Sequence, residues 1–214
     1  MKIDPVEFIL NLDNYIDKNF YFVSGNENSL MEKIKDIIIA KFKNNLNYSI
    51  NKKNSYDHNN ISSAGLFQKN ELFIISEIGS FDEKSLDTLK DRGSVYVFII
   101  PNSPKNNIFK RKIMNKQNCY LLDCYSLNKE AKSKIINQYC NINNIKFEKD
   151  IYWFLLDSLD DKYLFLENEL NKVFLLGKKL NSIASIKTTL AKNISEGEKI
   201  FFNILSKSSY IIDL

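Results

Sequence analysis

Short unbroken apolar runs alternate with longer segments of helical period through the first 125 residues. The run FYFVSG, residues 20–25, has the composition of a buried strand and ends on a glycine. After it, Leu30, Ile34, Ile37, Ile38 and Phe42 recur at helical spacing, with Glu32, Lys33, Lys35, Asp36 and Lys41 on the other face. Ser29 with Glu32 three residues on forms a capping-box pattern, which predicts Ser29 as the N-cap. LNYSIN (46–51) is a weaker strand, whereas ELFIISEI (71–78) and SVYVFIIP (94–101) are strong ones, closed by Gly79 and Pro101. CYLLDCY (119–125) is a fifth. Strands of this kind, separated by helical segments, predict a parallel sheet covered by helices: an α/β domain over residues 1–125.

From SLNKEAKSKIINQYC (126–140) onward the strands stop and long helical patterns take over. DIYWFLLDSL (150–159) predicts a helix with Asp150 as its N-cap. In DKYLFLENELNKVFLLG (161–177), Tyr163, Leu166, Leu170, Val173 and Phe174 form one stripe, and Gly177 suits a C-terminal stop. A short helix around SIKTTLAKN (185–193) completes a small helical domain over residues 126–192. Residues 193–214 begin another apolar helix, expected to be the first element of a further, truncated domain.

Composition narrows the function classes only in part. Of 214 residues 44% are apolar, including 15 Phe and 11 Tyr, enough for a substantial core and too many for a disordered chain. Thirty basic residues stand against 26 acidic ones, a balance that permits nucleic acid as a partner without requiring it. Cys119, Cys124 and Cys140 fit no paired CxxC zinc pattern and suggest a reduced, cytoplasmic setting. The opening MKIDPVEFIL interrupts any leader-like apolar run, and no stretch approaches the about 18 apolar residues of a membrane span, so a soluble chain is expected.

The candidate chemistry is notable for its gaps. Strand, glycine turn and helix in FYFVSGNENSLMEKI have the layout of a phosphate-binding loop. Such a loop reads GxxxxGK[ST], its Lys reaching the phosphates and its hydroxyl holding Mg²⁺. Counted from Gly25, those last three positions hold Leu30, Met31 and Glu32, and Glu32 sets negative charge where phosphate belongs. The strand LFIISE ends in Ser76-Glu77 where a metal-holding Asp would close a hydrolytic site. The single histidine, His58, stands in the polar stretch NSYDHNN; Asp160-Asp161 suit helix capping; Glu167 and Glu169 do not share a helix face. No catalytic, cofactor-binding or metal-binding constellation is therefore expected.

Taken in order, these segments resemble the delta subunit of the bacterial DNA polymerase III clamp loader. FYFVSGNENSLMEKI is similar to that family's opening strand, turn and helix, and AGLFQKNELFIISE to its segment before the central strand. Leu166, Asn168, Glu169, Leu170 and Lys172 match its L-x-N-E-L-x-K helix, and the likeness spans residues 18–205. The resemblance implies a RecA/AAA+-like α/β domain, a helical lid and the beginning of a collar, in a non-catalytic subunit of a DNA-directed DNA polymerase holoenzyme. It further implies, as partners, the ring-shaped sliding clamp (beta), the loader's ATPase and delta-prime subunits, and primed DNA through the complex. A delta-prime subunit would carry a zinc cysteine cluster that these three cysteines do not make.

The family's clamp-contacting Leu-Phe pair corresponds to Leu66-Phe67. Flanked by Ser, Gly, Gln, Lys and Asn, the pair either forms an exposed wedge or packs as a plug beneath its own domain. As a wedge, each side chain would contribute roughly 1.5–3 kcal/mol in a partner's pocket. The basic run KNNIFKRK supplies Lys105, Lys110, Arg111 and Lys112 as either a solvated helix face or a contact for DNA or a partner. Asn102, just past the fourth strand, reads as a turn residue. Two alternatives remain: a nucleic-acid-binding module that uses the basic run, and a divergent nucleotide-binding protein.

Overall fold

The computed structural model describes residues 1–57, 70–89, 93–175 and 183–190. Leu66, Phe67, His58, Gly177 and the expected collar segment 193–214 lie outside the described residues. The chain divides into two compact units, Met1–Ile135 and Ile136–Leu214.

The first unit is built on strands β1 (Lys2–Ile3), β2 (Phe20–Gly25), β3 (Ser49–Ser55), β4 (Glu71–Glu77), β5 (Val95–Pro101) and β6 (Cys119–Cys124). They form one sheet in the order β1-β6-β2-β5-β4-β3, and every pairing is parallel. This is the RecA/AAA+-like α/β class. The helices around the sheet are α1 (Pro5–Leu10), α2 (Asn28–Leu46), α3 (Glu83–Leu89) and α4 (Pro104–Ile113), followed by α5 (Lys129–Asn143), which crosses the division between the units.

Central position explains why β2 is apolar throughout: all six of its residues are buried. Side chains alternate between the two faces of a strand. Phe20 and Phe22 point to the face that also receives Phe81, Leu86, Phe98, Ile113 and Leu121. Phe22 stacks on Phe98 at 4.8 Å, and Phe20 and Phe73 flank Tyr96 at 5.3 and 5.2 Å, so aromatic rows run across strands in register. Tyr21 turns to the opposite face, where Phe8 of α1 and Phe42 of α2 meet its ring at 6.1 and 6.3 Å. Helix α2 buries Leu30, Met31, Ile34, Ile38 and Phe42, and it ends on Asn47 in the left-handed conformation (φ 57°), which asparagine tolerates.

Two elements at the edges of the sheet carry little hydrophobic signal. β1 adds Lys2 and Ile3 beside Leu121 and Leu122, and Asp4 then caps α1 by accepting from the Glu7 amide at 2.8 Å. β3 begins three residues later than expected, Leu46 still belonging to α2, and runs on through the polar sequence SINKKNS, because an edge strand need not be buried.

The second unit contains the rest of α5 together with α6 (Lys149–Ser158), α7 (Tyr163–Leu175) and α8 (Ile183–Thr189). Tyr163, Leu166, Leu170 and Val173 are buried as the stripe predicts, and half-buried Phe174 packs on Tyr139 and Phe147 at 5.6 and 5.8 Å. Asp160 accepts from the Lys162 amide at 2.7 Å in a turn just ahead of α7, but it is not the cap: Lys162, whose carbonyl takes the Leu166 amide, holds that position. Asp150 is not the cap of α6: Glu148 occupies that position, and Asp150 lies in the first turn, where its charge still complements the helix dipole.

Candidate functional site

The turn from β2 into α2 sits at the carboxyl ends of the strands, where open α/β sheets place their ligands. Gly25 ends β2 against β6 so closely that a Cβ there would lie 1.8 Å from the Cys124 carbonyl oxygen. That same oxygen accepts the amides of Asn26 and Glu27, at 3.0 and 3.2 Å. The Gly25 carbonyl in turn accepts the amide of Asn102, in the short connection between β5 and α4, at 3.3 Å. The amides that a phosphate loop turns toward its ligand are thus turned toward the neighbouring strand.

Helix α2 begins at Asn28, only three residues past Gly25, which leaves too short a segment to wrap a phosphate. Its N-cap is Glu27, not Ser29. One Glu27 carboxylate oxygen accepts from the Ser29 amide at 3.3 Å and from the Ser29 hydroxyl at 2.9 Å. The other accepts from the Leu30 amide at 2.7 Å and from the same hydroxyl at 2.8 Å. Glu27 is buried, with 6% of its surface exposed. The negative charge at the phosphate position therefore belongs to Glu27. Glu32, to which the sequence assigned it, is exposed and ion-paired with Lys35. Leu30 and Met31, at the former Gly and Lys positions, are core residues of α2.

A partly buried charged cluster lies beside this turn. Asp123 of β6 stands in register with Ser24 of β2, and the Ser24 hydroxyl donates to Asp123 at 3.2 Å. Lys110 of α4 reaches inward to both: its ammonium is 2.7 Å from Asp123 Oδ1 and 2.9 Å from Ser24 Oγ. Lys2 approaches the second Asp123 oxygen at 3.1 Å. Burial alone would raise the Asp123 pKa, but hydrogen bonds and attraction from Lys110 and Lys2 outweigh it and hold the carboxyl below its usual range. The Cys124 thiol is pushed far up by burial, and the nearby charges of Asp123 and Glu27 add to the effect. Cys119 is likewise buried with a raised pKa. Among the described residues no group of three or more His, Cys, Asp and Glu side chains could hold a metal ion.

This geometry corrects the place of Lys110 in the basic run. Helix α4 starts at Pro104, capped by the Ser103 hydroxyl accepting from the Asn106 amide at 3.2 Å, and it turns Phe109, Lys110 and Ile113 inward. Lys105, Ile108, Arg111 and Lys112 face solvent. None of the three outward cations has an ion-pair partner among the described residues, whereas Lys110 is 91% buried on a carboxylate. Beside this helix face a groove of about 460 Å³ lies over Phe81 and Phe109, bordered by Lys112 and by the Lys116–Glu83 ion pair at 2.8 Å. Leu66 and Phe67 lie outside the described residues, so the structure places neither. Among the described residues no helix is long and apolar enough to cross a membrane.

No protein-family model and no curated protein matches the chain by sequence. Solved structures do match it by fold. The Bacillus subtilis DNA clamp loader delta protein (YqeN) superposes with a TM-score of 0.60 at 12% identity, over 94% of this chain and 72% of that one. Domain III of the Thermotoga maritima replication initiation protein DnaA gives 0.43 at 12% identity, over 87% and 91%. The Thermotoga maritima RuvB Holliday junction branch migration motor gives 0.43 at 10%, over 83% and 62%. At 12% identity the likeness to the Bacillus subtilis protein is one of fold.

Proposed function

We propose that this chain is a delta-type clamp-loader subunit, which binds the ring-shaped sliding clamp and helps open it while partner subunits hydrolyse ATP. The observation that carries the reading is the fold likeness to the Bacillus subtilis DNA clamp loader delta protein, extending over 94% of this chain. The self-filled turn between β2 and α2 supports a subunit without hydrolysis of its own. Its amides are taken by Cys124 and Glu27, and neither a Lys nor a metal-holding hydroxyl stands where a phosphate loop has them.

In this reading Leu66-Phe67, just ahead of β4, is the wedge that enters a hydrophobic pocket on the clamp. A wedge that fits the open ring better than the closed one shifts the ring toward opening by that difference in affinity. The partners are the sliding clamp, the loader's ATPase and delta-prime subunits, and primed DNA held by the assembled complex. Leu66→Ala combined with Phe67→Ala is expected to weaken clamp binding at least about a hundredfold. The circular dichroism spectrum and melting temperature should stay unchanged. A clamp titration in which the double variant binds like wild type overturns the assignment.

A second reading draws on the outward face of α4. Lys105, Arg111 and Lys112 are exposed and, among the described residues, have no ion-pair partner, which suits direct contact with a phosphate backbone. It predicts DNA binding by the isolated chain that weakens steeply with salt and needs those three residues.

A further inference from the structure

We propose that the groove beside α4 is a docking site for an acidic protein segment that carries a large apolar side chain as its anchor. The proposal is independent of clamp binding and competes only with DNA for the outward side of α4. The floor of the groove is aromatic: buried Phe81 and half-buried Phe109 meet there, their rings 6.0 Å apart. Its volume of about 460 Å³ lies in the range of clefts that hold ligands. On the α4 side, Lys105, Ile108, Lys112 and Lys116 follow one another at intervals of three or four residues, so they share one edge of the helix and the turn after it. Ile108 is 57% exposed between two lysines, and Phe109 beside it lines the groove. An apolar anchor laid over the two phenylalanines would therefore also meet Ile108.

Charge decides what carries that anchor. Across the groove, Asp82 accepts from the Ser85 amide and hydroxyl at 2.9 and 2.8 Å, and Glu83 is paired with Lys116 at 2.8 Å. These two carboxylates are committed to the chain itself. Lys105 and Lys112 have no ion-pair partner among the described residues. The α4 edge thus holds a local positive excess, which carboxylates flanking the anchor would complement. A phosphate backbone fits less well. Its unbroken row of charges would approach Asp82, Glu83 and exposed Asp87 on the opposite wall, and would set Ile108 against phosphate. A peptide can place carboxylates only where the lysines stand.

The test begins with random dodecapeptides displayed on phage and selected on the full chain. Enriched peptides are synthesised, labelled and titrated by fluorescence anisotropy. They should combine Asp or Glu with a large apolar residue, and Lys112→Glu and Ile108→Ser should each weaken their binding at least about tenfold. Both positions are exposed, so the circular dichroism spectrum should not change. Arg111→Glu makes the same charge change on a part of α4 that does not border the groove, and should weaken binding less than about threefold. The proposal is overturned if no peptide is enriched, or if the enriched peptides lack acidic residues. It is overturned too if Arg111→Glu costs as much as Lys112→Glu, the mark of diffuse attraction. A labelled DNA duplex that displaces the peptides and binds more tightly than they do would overturn it in favour of nucleic acid. None of these results bears on clamp binding, which the Leu66-Phe67 titration reads separately.

Discussion

The β2–α2 turn and the helix α4 are two places where this domain could meet a phosphate, and they are built in opposite ways. The turn has the layout of an anion site and spends four of its amides on the chain itself: two on Cys124, two on Glu27. Helix α4 has no such layout, yet leaves Lys105, Arg111 and Lys112 facing solvent without carboxylate partners among the described residues. Between them stands Lys110, which belongs to the basic run by sequence and to the turn by geometry. The comparison teaches that a site is defined by which charges are left uncompensated, more than by which residues are present.

The largest break in this contrast is expected at Gly25. A methyl group there would press on the Cys124 backbone at φ +154°, so Gly25→Ala should lower unfolding free energy by about 4 kcal/mol in urea titrations. A neutral effect would mean that the turn does not lean on β6 as described. Next comes Lys110→Met, expected to cost about 2 kcal/mol because it leaves half-buried Asp123 with only the exposed Lys2 as counter-charge. The same pair sets a pH dependence. The Asp123 pKa is depressed in the folded state, so its contribution is present above the ordinary carboxylate range and is lost as pH falls through the folded value. Asp123→Asn should therefore flatten the acid side of the stability profile, as measured by melting temperature against pH.

The smallest effect on stability is expected on the outward face of α4. Exchanging Lys105, Arg111 and Lys112 for Gln should change unfolding free energy by no more than about 1 kcal/mol. If these residues touch duplex DNA, the slope of log affinity against log salt should flatten by up to about 3. A Lys110→Met chain that loses as much of the slope as the triple variant, at equal foldedness, would erase the distinction between the two regions.

What the sequence makes legible follows from burial. β2, β4, β5 and β6 are covered on both faces, and their unbroken apolar runs announce them. β3 and β1 lie at the sheet edges, where polar residues suffice, and so give a weak signal or none. The start of α1 is nonetheless written in Asp4-Pro5-Val6-Glu7, a cap, a first-turn proline and an acidic first turn. The cap of α2 goes to Glu27 because the preference for Ser at such positions is statistical, and a longer carboxylate two residues earlier takes the Ser29 and Leu30 amides and starts the helix ahead of Ser29. Lys110 could have been separated from its neighbours by phase alone. Asn106, Phe109 and Ile113 set the inward side of α4, and residue 110 falls on it, while 105, 108 and 112 do not. The ion pair with Asp123 has no such signature, since it depends on α4 packing against the end of a strand that comes later in the chain. The contact proposed for Leu66-Phe67 rests on resemblance, with no geometry yet attached to it.

The polar edge strand β3 carries a consequence for how the protein behaves in a crowded cell. Its exposed Lys52 and Lys53 lie on the side of the sheet where a further strand would add. A copy of the chain attempting to extend the sheet there would bring like charges into register and strip water from ammonium groups. The same two lysines that hide β3 from a hydrophobic reading thus disfavour strand addition at this edge of the sheet among the described residues.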